Sequence, residues 1–280
     1  MNLSLFNRLK GSLYGSLLNL NPQDDHPATP LNRNSLLEIT QTLGQTGPIS
    51  EEQWDAIARK NPDKSSALLC WIPLALFWHD YPAARSDLLQ SLMDKGWLSL
   101  ADTFALQTWS QILTAILRER FYPEPDFFPS IPVSSSVTPL SVTMQAIHQR
   151  LPLSDVIQSV NDGSLSSAIA LSLYCFIDTP TNFVLSLKRA SQCPHSLVLP
   201  FTGALAGAYH GLIGIPLTWR LTIETLLSPA QLSEICDGFW QRWSGSLAPP
   251  SSLSATLLAS PRVIQRRSHP PLISQSQYFP

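Results

Sequence analysis

Charge is scarce in this chain. Asp, Glu, Lys and Arg make up 14% of its 280 residues, against roughly 25% in ordinary soluble proteins, and the formal net charge is −2. Without a basic patch or stripe there is no electrostatic case for binding nucleic acid. Cysteine is also rare. Cys70, Cys175, Cys193 and Cys236 are scattered singly with no Cys-x-x-Cys pair, and three of them fall in apolar stretches where a free thiol acts as a small hydrophobe. A reduced, cytoplasmic setting is the expectation. No Gly-x-Ser-x-Gly turn and no Cys/His signature occurs, so covalent catalysis has no support. Sustained apolar/polar alternation is missing too, which removes strands from the reading. At the N-terminus Arg8 and Lys10 interrupt the apolar pattern rather than precede it, and no small-residue cleavage site follows, so no secretory signal is expected.

What remains is helical spacing almost throughout, and the fold class it predicts is all-α. Phe6, Leu9, Leu13, Leu17 and Leu20 form one stripe, with Gly11 and Gly15 on a neighbouring face. Ser35-x-x-Glu38 and Ser50-x-x-Gln53 read as capping boxes, with Gly44 and Pro62 as the stops of the two short helices they begin. Residues 67–78 are nearly all apolar and interrupted by Pro73, which predicts a kinked, buried helix ending at Asp80-Tyr81-Pro82. Residues 88–93 and 104–117 continue the pattern. Residues 122–139 hold five prolines and four serines and read as a surface loop inside one domain. Further helices are expected over 142–151, 154–160, 165–177, 180–190, 217–227 and 230–243. The domain organisation that follows is one helical domain over 1–243 and a Pro/Ser-rich tail over 244–280. That tail carries Arg262, Arg266 and Arg267 and has the makeup of a disordered segment.

The most informative stretch is Thr202 to Trp219, TGALAGAYHGLIGIPLTW. Gly203, Gly207 and Gly211 recur every four residues, which stacks them on one face of a helix. Glycine inside a helix costs up to about 1 kcal/mol relative to alanine, so the expected return is close approach of another backbone. Ser196 to Trp219 contains no Asp, Glu, Lys or Arg and its glycine spacing is like a membrane packing motif. Pro200, His210, Gly214 and Pro216 break the run, leaving a helix of the length usual for a buried core element. The reading is therefore no membrane span, with a membrane-associated protein as a separate possibility.

This stretch resembles the C-terminal signature of the ADP-ribosylglycohydrolase family, a glycine helix followed by Ile215-Pro216 and a nearby Trp219. Arg8 to Gly15 is similar to that family's opening, a basic residue before Gly-x-x-x-Gly. Ser166 to Phe176, Phe183 and Leu187 to Ala190 resemble its alanine-rich helix, the turn after it and the helix leading to a metal motif. The resemblance implies an all-α domain that hydrolyses an N- or O-linked ADP-ribosyl bond with a metal-activated water, magnesium being held by aspartates. The motif residues are missing. The Asp-x-Asp motif falls on Pro194, His195, Ser196 and Leu197, no carboxylate occurs between Lys188 and Glu224, and the other acidic motif falls on Leu31 to Asn34, with Arg33 in place of an acid.

The reading is thus a member that keeps the scaffold and lacks the metal ligands: a catalytically inactive protein without a cofactor, serving a binding or regulatory role. Its partner would be another protein or an ADP-ribose-like ligand. Its structural signature is Gly203, Gly207, Gly211, Pro216 and Trp219, and no catalytic residue is assigned. The alternative is an active, magnesium-dependent hydrolase with displaced ligands such as Asp24, Asp25 and Asp178. His195 with His79-Asp80 forms an imaginable acid/base group that no spacing brings together, and His210 on the glycine helix reads as a satisfied structural histidine. The eight tryptophans, Trp71, Trp78, Trp97, Trp109 and Trp219 among them, read as core.

Overall fold

The computed structural model describes residues 3–18, 34–49, 51–60, 64–121, 138–226 and 228–245. Among them there is no strand, and the all-α expectation holds. The helices run in order α1 (Leu5–Leu17), α2 (Asn34–Thr46), α3 (Glu51–Lys60), α4 (Lys64–Leu69), α5 (Trp71–Phe77), α6 (Pro82–Asp94) and α7 (Leu100–Leu117). After the segment at 122–137 come α8 (Thr138–Gln149), α9 (Leu153–Val160), α10 (Leu165–Ile177), α11 (Phe183–Ala190), α12 (Val198–Gly214), α13 (Leu217–Leu226) and α14 (Pro229–Ser244).

Helix α12 is the axis of the molecule. It lies along α1 for most of their shared length and is flanked by α7, α10 and α11. A second group forms where α14 packs on α2, which in turn meets α4 and α5. One apolar cluster runs through both groups, from Leu9 on α1 to Phe239 on α14, with Trp71 and Trp109 at its centre. Each of these two indoles has a polar partner: Trp71 Nε1 donates to Ser110 Oγ at 3.0 Å and Trp109 Nε1 to the Phe201 carbonyl at 3.3 Å. The core reading of the tryptophans is thereby met at these positions, since a buried indole N–H needs an acceptor.

The local chemistry explains most helix limits. Pro73 cannot donate to the Leu69 carbonyl four residues back, and the expected single kinked helix is divided into α4 and α5, joined through Cys70 in a tight turn (Cys70 N to Ala67 O, 3.1 Å). Pro82 opens α6 at its first turn, where no donor is needed. Helix α7 starts earlier than its apolar pattern because Ser99 and Asp102 form a reciprocal cap: Asp102 N donates to Ser99 Oγ and Ser99 N to Asp102 Oδ2, both at 3.1 Å. The other Asp102 oxygen accepts from Ser166 N at 3.0 Å, so one buried carboxylate joins the starts of α7 and α10.

Helices α6, α7, α8 and α11 begin at 82, 100, 138 and 183 where the sequence reading has 88, 104, 142 and 180, and two residues read as helix limits play other parts. Gly44 does not stop α2. It lies inside the helix, where a Cβ would come 2.9 Å from Phe239 N and 3.0 Å from the Gly238 carbonyl carbon, so it is a contact with α14. The stop is Gly47, at φ +87°. Ser35 sits within α2 instead of capping it from outside. The expected cap at Ser50, the stop at Pro62, Leu20 and most of the 122–139 loop lie outside the described residues. So does the tail beyond Gly245 with its three arginines, while Thr138 and Pro139 belong to α8.

Candidate functional site

The glycines that carry the sequence resemblance meet one another. Helices α1 and α12 touch backbone to backbone: a Cβ on Gly203 would lie 2.7 Å from the Gly15 carbonyl carbon, and one on Gly207 would lie 2.5 Å from the Gly11 carbonyl carbon and overlap its oxygen. The reverse is equally tight, since a Cβ on Gly15 would come 2.7 Å from the Gly203 carbonyl carbon. Four glycines in two helices therefore fit together as one joint, as the cost of helix-interior glycine anticipates.

Gly211 departs from the expected stack. Its backbone is at φ 66°, ψ 176°, outside the helical region and accessible to glycine at little cost, and α12 breaks there. At the break α1 supplies hydrogen-bond partners to the Leu212 N–H and to the carbonyls of Ala208 and Tyr209. Asn7 Oδ1 accepts from Leu212 N at 3.1 Å, and Arg8 Nη1 lies 3.5 Å from each of the Ala208, Tyr209 and Ile116 carbonyls. Arg8 is buried, and its Nη2 pairs with Glu119 Oε1 at 3.0 Å. A guanidinium at the ends of α7 and of the straight part of α12 also opposes their negative dipole ends. Arg8 is thus a helix-end clamp rather than a solvated surface charge.

Beyond the break the chain turns sharply. Val198–Gly214 and Leu217–Ile223 are inclined at 111°, with Pro216 at the corner, and among the described residues no single helix is long and apolar enough to cross a membrane. Ile213 before the corner and Leu217 and Leu221, one turn apart on α13, are 68%, 60% and 49% exposed, three of the seven large hydrophobics exposed among the described residues. Phe183 meets two rings from this part of the chain, His210 at 6.0 Å and Trp219 at 5.9 Å between ring centroids. Trp219 is half-buried against the apolar core.

His79, His195 and His210, the histidines weighed from the sequence, are held in three different settings. His79 is buried, its Nδ1 2.7 Å from the Leu76 carbonyl, its Nε2 3.5 Å from Asp80 Oδ2 and its ring stacked on Trp243 at 4.9 Å. Asp80 is engaged by Arg118 at 2.7 Å. His210 Nε2 donates to the Pro180 carbonyl at 2.8 Å, which fixes it as the protonated ring nitrogen. Burial lowers the proton affinity of both rings below the ordinary histidine value, so both are neutral near pH 7. His195 Nδ1 accepts from Leu197 N at 3.2 Å in the turn that begins α12. None of the three sits in an arrangement with a nucleophile and an orienting acid. The reading of His210 as structurally satisfied agrees with its hydrogen bond.

The donor set at the position of the missing acidic motif does not suit a hard cation. Pro194, His195, Ser196 and Leu197 supply one imidazole, already engaged, and one neutral hydroxyl, where magnesium takes oxygen ligands with carboxylates among them. Asp178 is bound to Arg189 at 2.7 Å, so its carboxylate is neutralised from within the fold. Asp24 and Asp25 lie outside the described residues. Among the described residues no group of three or more His, Cys, Asp or Glu side chains is placed to hold a metal.

One pairing escaped the sequence reading. Cys175 on α10 and Cys193 in the turn after α11 are separated by eighteen positions, and their sulfurs stand 3.9 Å apart. Their spacing matches no motif, and only the hairpin of α10 and α11 brings them together. Compared with known proteins, the chain matches no protein family, no curated protein and no solved structure.

Proposed function

We propose that this chain is a catalytically inactive protein of the ADP-ribosylglycohydrolase type, a pseudoenzyme with a binding or regulatory role. One observation carries the reading: the two glycine motifs on which the resemblance rests are joined backbone to backbone, while the turn that begins α12 offers Pro194, His195, Ser196 and Leu197 in place of acids. The joint accounts for retention of the glycines without chemistry, because any side chain there collides with main chain. Hydrolysis of an ADP-ribosyl bond by a metal-activated water would need carboxylate donors, and this turn has none. The exposed Ile213, Leu217 and Leu221, close in sequence around the α12–α13 corner, support a role in contact with a partner, since exposed apolar surface gains by being covered.

The test is calorimetry of the full chain with ADP-ribose, with and without magnesium, alongside an assay for release of ADP-ribose from a modified protein. The reading predicts no cation-dependent heat and no release. Binding of ADP-ribose without metal would make the protein a reader of that ligand, and heat that requires magnesium would restore the hydrolase with displaced ligands.

A further inference from the structure

Cys175 is fully buried in the wall of α10, and Cys193 is partly exposed in the turn that runs from α11 into α12. Their sulfurs, 3.9 Å apart, need to approach by about 1.9 Å to reach the ordinary disulfide length. Cys175 is fixed in a core helix. The Cys193 turn lies outside any helix and is held by local bonds, among them Gln192 N to Arg189 O at 3.1 Å, Cys193 N to Ala190 O at 3.2 Å and Cys193 Sγ to Arg189 O at 3.7 Å, so the motion can come from the turn side. The remaining two cysteines have no such neighbour: Cys70 Sγ points to the Ser35 carbonyl at 3.5 Å, and Cys236 is buried on α14.

We propose that Cys175 and Cys193 are a reversible dithiol pair, in which Cys193 is the sulfur that reacts with a peroxide-class oxidant and Cys175 is the one that resolves it into an intramolecular disulfide. The division of roles follows from access. A small peroxide can reach Cys193, whereas Cys175 faces only protein; the neighbouring thiol and its own burial also push the Cys175 thiol well above the usual cysteine range, so it is the poorer first nucleophile.

The chemistry balances in two steps. The Cys193 thiolate attacks one oxygen of hydrogen peroxide, the O–O bond breaks, and sulfenic acid and hydroxide form; the hydroxide takes the proton Cys193 has shed and becomes water. The Cys175 sulfur then attacks Cys193 Sγ, the S–O bond breaks, and the departing hydroxide leaves as a second water with the Cys175 proton. Two thiols lose two electrons to one peroxide, and a thiol such as reduced glutathione reverses the bond by exchange. The bond would tie the 191–197 turn, which carries His195 and leads into the glycine helix, to the rigid α10. This inference stands apart from the proposed function and requires neither ADP-ribose nor a metal.

The experiment uses the folded full-length chain. It is treated with a small excess of hydrogen peroxide, its free thiols are alkylated, and it is digested with trypsin without reduction. Cleavage at Arg150, Lys188, Arg189 and Arg220 places Cys175 in the peptide 151–188 and Cys193 in 190–220. The expected result is these two peptides joined, their combined mass lower by two hydrogens. It comes with a melting temperature raised by about 5–10 °C, which reduction reverses. Cys193→Ser, a change in a partly exposed turn, should abolish both effects, and Cys70→Ser should leave the link in place. Cys193 advancing to sulfinic acid with the two peptides unlinked, a disulfide between two chains, or a link that forms only in denaturant would each overturn the proposal.

Discussion

Alanine at Gly207 tests the helix joint in the most exposed way. Its Cβ would overlap the Gly11 carbonyl oxygen and lie 2.5 Å from the carbonyl carbon, where ordinary contact is about 3.5 Å or more. The neighbour is main chain inside α1 and cannot rotate aside, so the two axes must part by about 1 Å along a joint that is closed at four glycines. Overpacking of a tight interior costs about 1–3 kcal/mol and more where backbone must move, while alanine returns up to about 1 kcal/mol of helix propensity. The net expectation for Gly207→Ala is a loss of about 1–3 kcal/mol, read as a drop of roughly 3–10 °C in melting temperature for a domain of this size. Gly238 supplies the control. It too is inside a helix, but a Cβ there meets nothing within 4 Å, so Gly238→Ala should be neutral or stabilise by up to about 1 kcal/mol. Equal effects at the two positions, or a neutral Gly207→Ala, would refute the joint.

Other outcomes follow from the same geometry. Asn7→Ala removes the acceptor for the Leu212 N–H at the Gly211 break, and a cost of about 1–2 kcal/mol in denaturant unfolding is expected, with faster amide exchange confined to residues 211–216. Asp102→Ala strips two donors, Ser99 N and Ser166 N, of their acceptor and should cost about 2–3 kcal/mol in the same assay, more than loss of an ordinary exposed cap. Both His79 and His210 have proton affinities lowered by burial from the ordinary 6.5, so as pH falls through about 6.5 the unfolded chain takes up protons before the folded one. Their contribution to stability is complete above that pH and is lost below it. The melting temperature should therefore fall between about pH 7 and pH 5, and less steeply in His79→Gln.

How much of this was legible beforehand depends on how local the cause is. The glycine spacing on α1 and α12 announced a backbone contact, because a four-residue repeat is a property of one helix and its cost demands a compensating partner. That the two sets would face each other followed only from the fold. Gly211 continues the repeat in sequence and breaks it in structure, since what decides it is the pair Asn7 and Arg8 arriving from the other end of the chain to bond backbone groups at the break. Gly44 and Gly47 could not be ranked by spacing, because one answers to α14 and the other to its own φ. The start of α7 has a local signal, Ser99-x-x-Asp102, which lies ahead of the apolar pattern and extends the helix beyond it. The nearness of Cys175 to Cys193 has no local trace at all. The lack of acids at 194–197 is read directly from the sequence, whereas the hydrogen bond of Leu197 N to His195 Nδ1 comes from the turn and has no sequence signal.

The proposal to be tested is that this chain lacks a cation site with which to cut an ADP-ribosyl bond. The most direct measurement is the titration of ADP-ribose into the purified full-length chain with magnesium present and with it removed by chelation. The account predicts that the two titrations superimpose, whether or not ADP-ribose binds, and that an ADP-ribosylated protein survives incubation intact in both. Heat or cleavage that appears with magnesium and disappears with the chelator would contradict it.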